Sequence, residues 1–300
     1  MAIPNLLIIG AAKAGTTSLH HYLNQHPQIY MSPVKEPNFF ALEGQQVNFQ
    51  GIGDNLVINR HSITDWQQYQ DHFQPNRGET VIGDASTLYL SSPTAASRIY
   101  HYVPQAKIIA MLRHPIDRAY SNFLHARRDD REPIHDFLQA LEIEERRIED
   151  NWGPLWHYKS RGFYYNQLSP YFQRFTSTQI KIYLYEDFIK KPQAILQDIF
   201  SFLNVDPTFV PDTSIQFNAS GIPKNRTWHR FLSQRNPIIS PIVAIIPYKI
   251  RKQLLVMMQK QNMEKPLLSV DERKRLSQLY KSDVIQLQAL LQRDLTHWLT

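Results

Sequence analysis

The chain has 300 residues, 42% of them hydrophobic, which is enough for a substantial buried core and too many for a disordered polymer. It contains no cysteine, so disulfides, zinc–thiolate sites and thiol nucleophiles are excluded. Its 33 basic and 27 acidic residues leave a net charge of +6, a modest bias that suits an anionic small-molecule partner and does not call for nucleic acid.

In chain order, the apolar run Leu6–Ile9 predicts a first strand. It ends in a loop punctuated by Gly10 and Gly15, with Lys13 inside it, and Thr16, Thr17 and Ser18 then open a helix over Thr16–Asn24. That layout builds an anion site, because backbone N–H groups at a helix start are unpaired and the helix dipole favours negative charge. Gly10 and Gly15 have the spacing of a Walker A loop, but Thr16 stands where that loop has lysine and Lys13 lies earlier. A standard nucleotide triphosphatase is therefore not the first reading.

Further on, the polar Gly- and Asn-rich stretch Gln45–Ile63 predicts a surface excursion. Thr80–Ile82, Lys107–Leu112 and Ile180–Tyr185 predict strands. Helices are expected over His114–Arg128, over Ile134–Asp150 with its charges on the outer face, and over Gln193–Leu203. Asp206–Thr227 lacks periodicity and predicts a long functional loop. Pro237–Pro247 is apolar with three prolines and basic flanks. It predicts a packed, broken segment, with peripheral membrane contact through 237–252 as the alternative. Ser269-Val-Asp-Glu272 is a capping box, and its helix should run to about Leu291. Strands alternating with helices imply an α/β fold, a central, mostly parallel sheet flanked by helices. No leader sequence and no bilayer-length apolar run is read, so a soluble cytoplasmic protein is expected.

A second anion clamp stands in Leu112-Arg113-His-Pro-Ile-Asp-Arg118-Ala-Tyr-Ser121. Arg113 ends a strand, and Ser121 falls about two helical turns later, where it can point back to the strand's C-terminal edge. Together the two motifs resemble the sulfotransferases that use 3′-phosphoadenosine 5′-phosphosulfate (PAPS). Lys35-Glu36-Pro37-Asn38-Phe39-Phe40, Ser121-x-x-x-His125, Tyr185-Glu-Asp-Phe188 and Asp294-Leu-Thr-His-Trp298 extend the resemblance along the chain, most closely to the glycan and heparan sulfate types.

The resemblance implies a P-loop-like three-layer fold. It implies one domain over 1–300, with a nucleotide-binding core over about 1–230 and a helical part over about 231–300. It implies transfer of a sulfuryl group from PAPS to an acceptor hydroxyl of a sugar, glycolipid or secondary metabolite, or to an amine. Adenosine 3′,5′-bisphosphate (PAP) is then released. Lys13 would stabilise the leaving phosphate, with Ala14, Gly15, Thr16, Thr17 and Ser18 around the 5′ end. Arg113 and Ser121 would take the 3′-phosphate, under a loop carrying Lys224, Asn225 and Arg226. Glu36 would be the general base and His125 its assistant, with no metal required. Asp84, in Gly83-Asp-Ala-Ser86, is the rival base. The chain departs from the family at Ala85, where its glycosaminoglycan enzymes often have lysine. Two other readings stay open. A P-loop kinase or NTPase is opposed by the displaced Lys13, and a non-catalytic basic anion- or membrane-binding protein by the weak charge bias.

Overall fold

A computed structural model describes residues 2–75, 78–214, 221–223, 263–264 and 266–299. β1 (Leu6–Gly10) is buried at all five positions, as a strand covered on both faces must be. It lies at the centre of a sheet with β2 (Ile29–Met31), β3 (Val81–Ala85), β4 (Lys107–Leu112) and β5 (Ile180–Leu184). The order is β2-β3-β1-β4-β5 and every pairing is parallel. The chain crosses to opposite sides of β1, so the C-terminal ends of β3, β1 and β4 open a crevice of the kind that takes ligands in such sheets. β6 (Ile222–Pro223) and β7 (Met263–Glu264) form a separate antiparallel pair.

The expected α/β architecture is present, with local differences that have physical causes. β2 has three residues, too few to carry a periodic signal. β3 continues past Ile82 through Gly83 and Asp84, which read as turn residues. Gly83 is tolerated because Met31 Sδ lies 2.3 Å from where a Cβ would stand. Asp84 is tolerated because three hydroxyl groups donate to it.

The helix expected over 134–150 is two helices, Phe137–Glu142 and Glu144–Glu149, and its charges do not all face outward. The break at Ile143 lets Glu144 turn fully inward, where it accepts the N–H groups of Lys159 and Ser160. Arg147 also turns inward and makes a two-pronged pair with Glu132 at 2.7 and 2.8 Å. Tyr158 Oη and the N–H of Ile134 complete the shell of Glu132.

The stretch at 45–63 is mostly exposed, as expected of a surface excursion, but it is anchored to the interior at Gly51 and Asp54. Gly51 is buried, and Asp54, only 1% exposed, accepts from the N–H groups of Gly51 (2.9 Å) and Gly153 (2.8 Å) and pairs with Arg131 at 3.0 Å. Composition marked the stretch polar, and its one decisive carboxylate is sealed inside.

One continuous buried cluster runs from Leu6 to Trp298. The predicted C-terminal helix, Val270–Leu291, starts at the Ser269 capping box and buries Leu276, Tyr280, Val284 and Leu287. It packs on helix Tyr164–Phe172, whose first turn has no cap of its own. Asp283 of the C-terminal helix supplies it, accepting the N–H groups of Tyr165 (3.1 Å) and Asn166 (3.4 Å). Among the described residues no helix is long and apolar enough to cross a membrane. The Pro237–Pro247 segment lies outside them, as does the rest of 237–252.

These burials set different energetic weights on two ion pairs. Glu132→Gln leaves Arg147 charged and underpaired in the interior and is expected to cost about 3–5 kcal/mol. Asp198→Asn, in the exposed pair with Lys181, is expected to cost under about 1 kcal/mol. Urea denaturation midpoints of the two variants would check the contrast.

Candidate active site

Each strand of the parallel sheet sends at least one residue from its C-terminal end into one cleft of about 780 Å³. β1 delivers Lys13, β2 delivers Lys35 and Glu36, β3 delivers Thr87, β4 delivers Arg113 and β5 delivers Tyr185. The volume is that of a site for one or two small ligands.

The loop after β1 closes through two left-handed residues, Lys13 (φ 67) and Gly15 (φ 85). A left-handed lysine is uncommon and marks a backbone held for a reason. Gly15 is the N-cap of helix Thr16–Leu23 and brings no side chain to cap the first turn. Thr16, Thr17 and Ser18 line the cleft there. A Cβ on Gly15 would come within 3.1 Å of the Tyr185 ring. That ring also carries Arg113, whose guanidinium sits 4.9 Å from its centroid. Arg113 Nη1 donates to Lys13 O at 2.9 Å, so the second clamp is bonded to the first loop. Asp117 does not hold Arg113, because it pairs with Arg273. Ser121 is 1% exposed and faces the cleft from helix Pro115–Arg128. Burial pushes the Lys13 ammonium down to about 8, and Arg128, Arg113 and Lys35 push the same way against Asp129.

Across the cleft, Glu36 is also left-handed (φ 63), with its N–H bonded to Ala85 O at 3.0 Å. One carboxylate oxygen accepts Lys35 Nζ at 2.6 Å. The other accepts the N–H and hydroxyl of Thr87 at 2.7 and 3.2 Å. His125 lies one helical turn beyond Ser121. Burial lowers its pKa to about 3, and Lys13, Arg128 and Arg131 act with it against Asp129. Arg128 Nη2 is 2.7 Å from His125 Nδ1. A guanidinium only donates, so Nδ1 accepts and the neutral ring carries its proton on Nε2. His125 is thus equipped to donate a hydrogen bond at neutral pH, not to take up a proton. Asp84 lies off the cleft wall, fully buried under Tyr89 Oη (2.6 Å), Tyr69 Oη (2.7 Å) and Ser86 Oγ (3.0 Å). Burial raises its carboxyl to about 6 despite those bonds.

A family model described as "Sulfotransferase family" matches residues 4–209. The chain belongs to the sulfotransferase family. A sulfotransferase crystal structure from Alicyclobacillus acidocaldarius is 35% identical, covers 99% of both chains and superposes with a TM-score of 0.78. Bifunctional heparan sulfate N-deacetylase/N-sulfotransferase 1 of Caenorhabditis briggsae is 29% identical over 229 residues, 73% of this chain and 24% of that protein. Carbohydrate sulfotransferase 15 of Mus musculus is 24% identical over 284 residues, 80% of this chain and 51% of that protein. The chain therefore spans about a quarter of the length of the heparan sulfate relatives it matches.

In this sulfotransferase-family site, Lys13, Gly15, Thr16, Thr17, Ser18, Glu36, Arg113, Ser121 and His125 all reach the one cleft. Ala14 does not. It is fully buried with its N–H on Ala11 O at 3.2 Å, and Ala12 faces the cleft instead. Lys224, Asn225 and Arg226 lie outside the described residues. The described part of the loop expected over 206–227 folds back on the first helix, where Tyr22 Oη donates to Thr213 O at 3.2 Å and Thr213 reaches the cleft. The 51–62 stretch, Arg131 and the 154–161 stretch supply the wall on the Glu36 side. Thr87, Arg131 and Arg161 were missed in the sequence. Thr87 adjoins the Gly83-Asp-Ala-Ser86 signal, whereas nothing local marks the two arginines.

The environment of His125 is open to a direct check. Its ring is expected to stay neutral, as the Nε2–H tautomer, throughout pH 5–8 in nitrogen-15 NMR titrations. A midpoint near 6.5 would show that the surrounding cations do not act on it as described.

Proposed function

We propose that the cleft binds PAPS and an acceptor together and catalyses sulfuryl transfer between them. The observation that carries the reading is the convergence of Lys13, Arg113, Ser121 and Glu36 on one cleft, from just beyond the ends of three strands and from the middle of one helix. Two cationic clamps suit a nucleotide with phosphates at both ends, and one carboxylate faces them.

In this reading the 5′-phosphosulfate lies in the loop before Thr16, with Lys13 and the first-turn N–H groups of Thr16, Thr17 and Ser18 against its oxygens. The 3′-phosphate lies between Arg113 and Ser121, with Lys224, Asn225 and Arg226 assigned to it by the resemblance alone. Tyr185, Phe188 and Ile189 offer an apolar wall for the base. The acceptor hydroxyl attacks sulfur in line and gives its proton to Glu36. An oxygen–sulfur bond forms, the bridging sulfur–oxygen bond breaks, and its electron pair leaves on the 5′-phosphate as PAP. Lys13 and the loop dipoles stabilise that developing charge. His125, neutral at working pH, donates from Nε2 to the reacting group, and Glu36 is the base. Asp84, enclosed by hydroxyls, supports β3. A glycan acceptor is supported by the glycan-acting names of the relatives; a hydroxyl is the first choice of acceptor group, and the N-sulfotransferase names among them keep an amine beside it.

Isothermal titration is expected to show PAP binding far more tightly than ATP, with no dependence on Mg²⁺. Equal, Mg²⁺-dependent ATP affinity would sink the reading in favour of an NTPase. Lys13→Ala and Arg113→Ala should each abolish or strongly weaken PAP binding. Glu36→Gln should leave PAP affinity within a few-fold and lower turnover by about 10²–10⁴.

The Lys13 environment sets a pH dependence. Only the charged lysine favours an anion, and in the free protein it discharges near pH 8. Above that pH, binding must take up a proton, so PAP affinity should fall by up to about tenfold per pH unit. Heats measured at pH 9 in two buffers of different ionisation enthalpy should reveal the uptake.

A further inference from the structure

We propose that Arg161 is a positioning residue for Glu36, acting through Thr87, which ties the depth of the Glu36 side of the cleft to the readiness of its carboxylate. The proposal rests on the reading of Glu36 as the base. Arg161 sits in the single turn Ser160–Gly162 and is 8% exposed. Its Nη2 donates to Thr87 O at 2.8 Å and its Nη1 to Pro154 O at 3.4 Å. The N–H and hydroxyl of the same threonine hold Glu36 Oε2. Arg161 pins the peptide on one side of Thr87, while Glu36 is held by the N–H of the peptide on the other side and by the hydroxyl, so the threonine is fixed from both sides.

A neutral side chain could tie two carbonyls together. Arg161 instead brings a charge into the interior, and among the described residues no carboxylate lies within ion-pair distance of it. Buried charges without such a partner are uncommon and call for a reason. At longer range it faces the carboxylates of Glu36 and Glu144. Burial lowers Arg161 to about 10, with Arg118 acting the same way, and Glu36, Tyr164 and Glu144 work against both. The fork geometry also matters. A lysine could keep the charge and reach one carbonyl, but not span two.

The turn that bears Arg161 is held from behind. Glu144 accepts the N–H groups of Lys159 and Ser160, and Tyr280 Oη donates to Lys159 O at 3.0 Å. A Cβ on Gly162 would come within 2.7 Å of the Tyr280 ring. Arg161 also forms part of the wall between the main cleft and a second cavity of about 520 Å³. It is therefore placed to act on Glu36 without lying where the nucleotide clamps are.

The test compares Arg161→Lys, Arg161→Met and Glu36→Gln in the full chain. The readouts are PAP affinity by calorimetry, and kcat and acceptor KM with PAPS and a glycan acceptor. Arg161→Lys and Arg161→Met are expected to keep PAP affinity within about threefold and to lower kcat at least tenfold. Acceptor KM should stay within about threefold, so that the loss falls on kcat. Methylguanidinium should restore part of the lost kcat to Arg161→Ala. Unchanged kcat in Arg161→Lys and Arg161→Met, while Glu36→Gln is dead, would overturn the positioning role and leave the base reading intact. An active Glu36→Gln would overturn the base reading itself, and this proposal with it. A parallel loss of PAP affinity and kcat, with no rescue by methylguanidinium, would mark Arg161 as merely structural. If Arg161→Met and Arg161→Ala fail to fold, the split between kcat and acceptor KM in Arg161→Lys decides.

Discussion

The segment that leaves β3, from Asp84 to Thr87, is the tie on which the cleft depends. Ser86 N donates to Ile8 O at 3.1 Å, joining it to β1, and Ser86 Oγ accepts Asn38 N at 3.1 Å. Ala85 O and the donors of Thr87 hold the two ends of Glu36, its backbone N–H and its carboxylate. A Cβ on Gly10 would come within 2.8 Å of Leu90 Cβ and 3.4 Å of Thr87 O, so the strand bearing the lysine loop must also yield at this point. The two sides of the cleft are thus not independent loops. They are bonded to one short stretch of backbone, and Asp84 beneath it is enclosed because the stretch cannot be allowed to move. That arrangement accounts for a carboxylate buried under three hydroxyl groups.

The second organising fact is an excess of positive charge. Lys13, Lys35, Arg113, Arg131 and Arg161 line the cleft, Arg128 stands behind it, and Asp54 on the wall is already committed to two N–H groups and Arg131. At 4 Å two unit charges interact by about 1 kcal/mol in water and about 4 kcal/mol at the effective dielectric of a protein. Partial burial therefore multiplies each repulsion several-fold, and the lowered values of Lys13 and His125 register it. An entering dianion relieves the crowding, which is why the field reads as an anion site without reference to any relative. Burial, with the same field acting beside it, lowers the pKa of His125.

Much of this was legible in the residues, for identifiable reasons. β1 and β4 were visible because a strand buried on both faces is a continuous apolar run, and the capping box at Ser269 because its two side chains are three residues apart. Lys13, Arg113 and Ser121 were visible because glycine spacing and a strand-to-helix junction are local signals. What escaped was decided by partners far along the chain. Asp54 is buried because Gly153 and Arg131 meet it, nearly a hundred and nearly eighty residues away. Arg147 turns inward because Glu132 waits there. Arg161 owes its place to Thr87, more than seventy residues earlier. No window of sequence contains such pairs. The left-handed turns at Lys13 and Glu36 were hidden for a different cause, since neither residue type advertises positive φ.

The C-terminal helix has a bearing on how the chain matures. Tyr280 seals Gly162, Asp283 caps the helix at Tyr164, and Trp298 lies 6.0 Å from the rings of both His114 and Tyr164. These contacts join residues more than a hundred positions apart, and during synthesis their C-terminal partners emerge after every strand of the sheet. During synthesis a chain with all five parallel strands already emerged would still show Tyr164, Phe163 and the turn at Arg161 to water. The wall behind Glu36 is thus assembled last, by residues that touch no ligand, and the interval before they dock is when the nascent protein most needs shielding from other chains.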